Sequence, residues 1–308
     1  MLFRRFSANA VFGAAAAALL AVASPVLAQD LDLRAQVAAF VQPSNAARTD
    51  VVVAQLRAAG FEPTIETFVG GNRQTGEMDG RNVVVTIGDG PREILLTAHY
   101  DAVKLRDGTM SHGVVDNAAS VVGVIEAAKI LRAKSLTHRI RIILFDQEEL
   151  GLIGARKWIE AHGLADVAAV VNSDVAGYGD TMMYGQNNGA QSAFVTRAVQ
   201  ELCAERALQC VGYPEYPPSD DRAFSAAGAP VVSLGFQDQI GAHQMWLAFN
   251  GGQTNGQTNG LAEGFTPRVF QLIHSAEDTM EQVDPATVAL AGATYAAVVE
   301  RLDAQLSR

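Results

Sequence analysis

The sequence predicts an α/β fold, a three-layer sandwich in which a mixed, mainly parallel sheet lies between helices, and three observations carry that prediction. Four runs, at 82–87, 93–99, 139–145 and 167–174, are short, apolar and rich in β-branched residues, the composition of strands buried on both faces. Helix-like stretches at 120–133, 151–162 and 191–207 fall between and after them, and such alternation builds parallel sheets covered by helices. At 308 residues, 49% of them hydrophobic, the chain has enough material for one large core, so a single domain over 29–308 is expected.

In chain order, residues 1–28 read as a leader. Arg4 and Arg5 precede an alanine-rich apolar run over 10–22, then Ser24, Pro25 and the small-residue ending Val26, Leu27, Ala28, which is the build of a secretory signal peptide cleaved after Ala28. The apolar run is shorter than the roughly 20 residues that a membrane anchor needs. Export to the periplasm or the extracellular space is therefore expected, with no stable membrane insertion after the leader is removed. The two arginines are the leader's only charged side chains, so its loss moves the formal charge from −10 to −12. A chain this acidic is a poor partner for nucleic acid.

Next come helices at 31–40 and 44–59, the second closing at Gly60. A polar, glycine-rich stretch over 70–80 reads as a connection into the strands. A fifth strand is expected at 230–236, and the last helix at 285–306. Between them, the Gln-Thr-Asn-Gly repeat of 251–260 has the composition of a mobile surface loop. Cys203 and Cys210 are the only cysteines, too few for a disulfide-dependent scaffold or a four-cysteine metal site. Their spacing is compatible with a disulfide and with two buried thiols.

The residues that carry chemistry sit at strand ends. His99 and Asp101 stand two apart where a strand closes, so they share a face. They form either a structural pair or a metal-ligating imidazole steadied by a carboxylate. Asp116-Asn117, at the mouth of an apolar helix, reads as a cap or as part of a site. The run Asp146-Gln147-Glu148-Glu149 falls where a strand passes into a helix, and Asp174 closes the next strand. Open α/β sheets bind ligands beyond the carboxyl ends of their strands. So many carboxylates on one sheet edge without counter-ions would cost stability, and metal ions remove that cost. Two Zn²⁺ would be balanced by Asp116, Glu149, Asp174 and a hydroxide, with His99 and His274 as neutral ligands. His112, His138, His162 and His243 lack such contexts and read as surface or structural.

With these motifs in order, the chain resembles the M28 family of co-catalytic zinc peptidases, which contains bacterial secreted leucyl aminopeptidases. The resemblance covers about 44–302 and rests on His99-Tyr-Asp101, Asp116-Asn-Ala118, Glu148-Glu-Leu-Gly-Leu-Ile-Gly154, Asn172-Ser-Asp174 and His274-Ser-Ala-Glu-Asp-Thr279. It implies a zinc-dependent exopeptidase-like fold, a peptide substrate and two Zn²⁺ per chain. Residue by residue, it implies that Asp116 bridges the ions, that His99 and Asp174 complete one, and that Glu149 and His274 complete the other. Glu148 matches the general base, Asp101 the partner of His99, and Tyr216 stands where similar enzymes place an oxyanion donor.

The chain departs from the family pattern in two places. Ser219-Asp220-Asp221 stands where the family reads Ser-Asp-His, which puts the local substrate wall in question, and Asp116-Asn-Ala-Ala-Ser120 lacks the usual glycine-bearing ending. The expected activity is that of an aminopeptidase. The alternatives are a glutaminyl cyclase on the same fold and a non-catalytic, peptidase-like binding ectodomain.

Overall fold

The computed structural model describes residues 25–251, 261, 262 and 264–308. Most of the expected leader and of the 251–260 repeat therefore lies outside the described residues. The elements are α1 (Pro25–Ala38), α2 (Asn45–Ala58), β1 (Thr64–Asn72), β2 (Gly76–Ile87), β3 (Glu93–His99), α3 (Ala119–Arg132), β4 (Arg139–Phe145) and α4 (Ile153–His162). There follow β5 (Val167–Ser173), β6 (Thr181–Gly185), α5 (Ala193–Arg206), β7 (Cys210–Tyr213), α6 (Asp221–Ala226), β8 (Val231–Gln237), α7 (Gln239–Asn250), α8 (Arg268–Leu272) and α9 (Pro285–Leu306).

One mixed sheet runs in the order β1-β2-β4-β3-β5-β8-β6-β7. Its centre, β4-β3-β5-β8, is parallel throughout, and β6 pairs in parallel with β7. The antiparallel pairs join β1 to β2, β2 to β4 and β6 to β8. Alternation along the strands sorts side chains to two faces. Ile94, Leu96 and Ala98 join the larger core beneath α1, α2, α3 and α9, whereas Leu95 joins Ile143, Phe145 and Trp158 beneath α4 and α6. Helix α9 approaches α3 closely because Gly292 has no Cβ, which would stand only 2.8 Å from the Cβ of Glu126.

Two expectations need correction. The 70–80 stretch is the end of a β-hairpin rather than a connection: β1 pairs with β2 from Thr64 opposite Val84 to Asn72 opposite Gly76. Its glycines and half-exposed side chains hide it from an apolar-run reading. Helix α1 begins at Pro25, ahead of the expected 31. Helices α6 and α8 and strands β6 and β7, 4 to 6 residues each, carry too short a pattern to stand out, and α7 buries only Gly241, Ala242 and Met245, too few to mark a stripe. Helix α2 does start as expected, with the Ser44 hydroxyl accepting the Ala47 N–H.

The cysteines form a disulfide, Cys203 to Cys210, tying the end of α5 to β7 at the sheet's edge. They are 7 residues apart in sequence. Chain entropy for so short a ring predicts that removing the bond lowers the unfolding free energy by about 2.5 kcal/mol. Denaturant titrations of the native protein and of the Cys203→Ser, Cys210→Ser variant test this, and equal midpoints would show that packing alone holds β7.

Candidate active site and metal centre

Strand register assembles the site. In the parallel pairing, His99 lies opposite Phe145 and Ala98 opposite Ser173, so His99, Asp146 and Asp174 all emerge at one edge of the sheet. Asp116 reaches the same edge from a turn ahead of α3, where a cis peptide joins it to Asn117. His274 arrives from beyond α8, with its backbone in the left-handed region at φ 55°.

The side chains converge. His99 Nε2 stands 3.1 Å from Asp116 Oδ1 and 3.6 Å from Asp174 Oδ1. On the other side, His274 Nε2 stands 3.2 Å from Asp116 Oδ2 and 2.9 Å from Glu149 Oε2. Asp116 thus presents one oxygen to each imidazole. Two three-residue groups result, His99-Asp116-Asp174 and Asp116-Glu149-His274, each with ligand atoms within 4.8 Å of one another. Glu148 makes a further group of that reach with His99 and Glu149.

These residues fit divalent metal ions. Glu149 Oε1 and Asp174 Oδ1 are buried with no hydrogen-bond partner among the described residues, and such orphaned anionic oxygens are expensive unless a cation satisfies them. The donor set, imidazole nitrogen with carboxylate oxygen, suits zinc.

The protons show the same strain. Asp116 is held below the ordinary carboxylate range, because the bonds from His274 and His99 outweigh the opposing effect of burial. Burial, reinforced by Asp116, pushes Glu149 up to about 7. Hydrogen bonds to Asp116 and Glu149 lift His274 to about 11. His99 is raised too, since Glu148, Asp101, Asp116 and Asp174 override its burial. Glu148 is raised chiefly by burial, against His99 and with Asp220, Asp174 and Glu149 adding to the shift.

Behind these groups lies a supporting shell. Asp101 Oδ1 is 3.3 Å from His99 Nδ1, and its two oxygens also accept the backbone N–H groups of Glu148 (3.1 Å) and Glu149 (3.2 Å). One carboxylate therefore faces an imidazole and fixes the Glu148-Glu149 turn. Asp278 accepts the N–H groups of Val114, Val115 and Asp116, holding the turn that delivers Asp116. Asn117 donates to the Ser173 carbonyl and accepts the Val175 N–H, which flanks Asp174 on both sides. Arg48, almost fully buried in α2, donates to the carbonyls of Phe40, Tyr100, His112 and Gly113. Its guanidinium, pulled down to about 10 by burial, is a fixed positive charge behind the acids. The sequence reading missed these roles of Asp278, Asn117 and Arg48, although Asp278 stands within the quoted His274 motif.

In front of these candidate ligands is a pocket of about 400 Å³. Glu148, Glu149, Asp174 and His274 form its polar side, and Met183, Met245, Phe249, Val269, Phe270 and Ile273 its apolar wall. Tyr216 lines it as well, with its ring edge-on to Tyr213. Asp221 does not line it. That carboxylate is buried and turned away, accepting from Asn188 Nδ2 and the Ser219 N–H. Pro217 and Pro218 form the wall there instead. Asp220 is fully buried, and neither of its carboxylate oxygens has a hydrogen-bond partner among the described residues. Burial raises it well above the usual range. Of the remaining histidines, His138 is buried against Asp303 at 2.8 Å, and His162 pairs with Glu66 at the surface.

Comparison with known proteins places this site in context. The model of peptidase family M28 matches residues 82–299. Leupeptin-inactivating enzyme 1 of Streptomyces exfoliatus is 27% identical over 198 residues, 61% of this chain and 42% of that protein. Aminopeptidase YwaD of Bacillus subtilis is 34% identical over 70 residues, 23% of this chain and 14% of that protein. The matched segments thus span less than half the length of these curated relatives. Among solved structures, a zinc-dependent exopeptidase from Parabacteroides distasonis superposes with a TM-score of 0.68 at 18% identity, covering 88% of this chain and 96% of that one. A glutaminyl cyclase from Porphyromonas gingivalis does so at 0.67 and 19% identity, covering 90% and 97%. At such identities the superpositions establish the shared fold.

Proposed function

Because the chain belongs to peptidase family M28, whose model covers more than two-thirds of it, we propose that it is an aminopeptidase that uses two zinc ions to release residues from free peptide amino termini. The observation that carries this reading is the charge of the pocket. Its polar side holds Glu148, Glu149 and Asp174, and no lysine or arginine is among the described residues that line it. With Glu149 and Asp174 taken up by metal in this reading, Glu148 is the carboxylate left to meet a substrate ammonium, whereas a carboxypeptidase would need a cationic side chain there for the terminal carboxylate. The apolar wall then favours a bulky apolar first residue. The full set of ligand-type side chains counts against a non-catalytic binding role.

In this reading His99, Asp116 and Asp174 would hold one ion, and Asp116, Glu149 and His274 the other. Bound zinc would supply Lewis acidity, making a water more acidic and polarising the scissile carbonyl. Glu148, which lines the pocket, takes the proton from the attacking water and passes it to the leaving amine. The Tyr216 hydroxyl is the donor offered to the developing oxyanion. Asp101 keeps His99 and the Glu148 turn in place.

The test is a panel of free-amino peptides and their acetylated counterparts, assayed before and after metal is removed and zinc restored. Zinc-dependent cleavage of the free set alone is expected. Cleavage of acetylated peptides would point to an endopeptidase or carboxypeptidase, and ring closure of an amino-terminal glutamine without hydrolysis to a glutaminyl cyclase.

Metal uptake is expected to be coupled to proton release. His274, lifted to about 11, carries a proton near neutral pH that zinc must displace, and His99 is shifted in the same direction. Both groups are raised, so their protons are lost as pH increases and zinc affinity climbs with pH, by about tenfold per unit for each proton released. Zinc titrations from pH 6 to 8 test this, and a flat affinity would contradict it.

The composition of residues 1–28 and the Cys203–Cys210 disulfide together support export to an oxidising compartment. Amino-terminal sequencing of protein recovered outside the cytoplasm should begin just after Ala28. No helix among the described residues is long and apolar enough to cross a membrane.

A further inference from the structure

Beside the metal ligands, the sheet edge carries a second and larger cavity. Because β2 pairs with β4 only as far as Val83 opposite Leu144, the earlier residues of β2 run on past the carboxyl end of β4, paired with β1 alone. The hairpin therefore projects above the edge where the ligands sit. A second projection follows β3, where the chain folds back through a bridge between Lys104 and Met110. The start of α2 closes the space behind, with Asn45 exchanging hydrogen bonds with the backbone of Ala102. Between these walls lies a cleft of about 1010 Å³ that reaches Asp101, Asp146 and Glu149.

Two features give the cleft a role. Glu149 lines both it and the apolar pocket, so the two cavities meet at one of the ligand-type carboxylates. The hairpin wall is tied to the catalytic turn: Gln147 Oε1 accepts the Gly71 N–H, Gln147 Nε2 donates to the Asp79 carbonyl, and Asn72 Nδ2 donates to the Leu150 carbonyl. Wall and Glu148-Glu149 turn are thus positioned as one piece. Arg81, Lys104 and Asp79 are the exposed charges on the lining, the other carboxyls there, Asp101, Asp146 and Glu149, being buried or half-buried, and neither Arg81 nor Lys104 has an ion pair among the described residues.

We propose that this cleft holds the polypeptide on the carboxyl-terminal side of the scissile bond, with Arg81 and Lys104 attracting carboxylates of that segment. The inference rests on the aminopeptidase reading, which puts the first residue's side chain in the apolar pocket. The leaving chain must then depart across Glu149, and the cleft is the space it meets there. Its volume matches the largest sites that enclose drug-sized ligands, enough for several residues. Peptides of several residues should accordingly be better substrates than an amide with no leaving peptide.

The experiment compares kcat/KM for leucine anilide with that for leucine-initiated peptides of two to six residues, with acidic or basic residues at the third and fourth positions. A rise of at least about tenfold with length, expressed mainly in KM, is expected from added binding contacts. In the Arg81→Glu, Lys104→Glu double variant, the ratio of kcat/KM for acidic peptides to that for basic peptides should fall by about tenfold or more, as like charges now face each other. Equal kcat/KM for the anilide and the hexapeptide, or a charge preference unmoved by the double variant, would overturn the proposal. Absence of cleavage from any free amino terminus would instead overturn the aminopeptidase reading and this inference with it.

Discussion

Replacing Asp116 by Asn is expected to abolish the two-metal site. Its two oxygens stand 3.1 Å from His99 Nε2 and 3.2 Å from His274 Nε2, so in the proposed site each would serve a different half of the centre. An amide offers one oxygen and one N–H₂ group, and the N–H₂ group cannot ligate a cation. One half must lose its shared donor, and the other loses half the charge that draws an ion in. Zinc content should fall from two ions to one or none per chain. The rate should fall by roughly a thousandfold or more, matching the several kcal/mol that metal charge stabilisation supplies to a transition state. Elemental analysis of dialysed protein alongside kcat/KM measures both effects. Two retained ions with normal turnover would mean that Asp116 is not the shared ligand, whatever its place between the imidazoles.

The second large effect is expected at Glu148. Glu148→Gln keeps the side chain's size and its ability to line the pocket but removes its capacity to take a proton. Asp101 holds the backbone of this turn through the N–H groups of Glu148 and Glu149, and those bonds survive the change. Zinc content and KM should therefore stay close to those of the parent, while kcat drops by about a hundredfold or more, the contribution typical of general-base transfer. A fall in metal content instead would place Glu148 among the ligands, as its closeness to His99 and Glu149 permits. Full activity would require another base, and Asp220, buried without a hydrogen-bond partner among the described residues, is the first carboxyl to examine.

The contrast between these two residues and their supports shows what can be read along a chain and what cannot. Strands β3 and β4 run over 93–99 and 139–145 and α9 over 285–306, the limits expected from apolar runs and helical pattern. Each is buried along its length or on a continuous stripe, so its own composition records its surroundings. Strand β1 was missed because Ile65 and Val69 face solvent and glycines interrupt the run, so its pairing with β2 leaves little trace in composition. The parallel register of β3, β4 and β5 then carries the strand-end acids to one edge, which is why so many of the candidate ligands were legible.

The support of those side chains was not. Asp278 holds a turn that lies 162 to 164 positions away in sequence, Arg48 clasps carbonyls up to 65 away, and Gln147 reaches hairpin residues 68 and 76 away. Nothing local distinguishes a buried, bonded arginine or aspartate from a solvated one, because propensity and periodicity act over neighbouring residues. Polar partners are chosen by which backbone groups the folded chain leaves unsatisfied. The same holds for Asp221, whose sequence position suggested a substrate wall until folding turned it toward Asn188. Residue types and their order along the strands therefore set the sheet and the chemistry gathered at its edge. Only long-range packing decided which charges are shared, which are buried without partners, and that the β1–β2 hairpin stands over the site as a wall, since burial energy depends on contacts that exist only once distant segments meet.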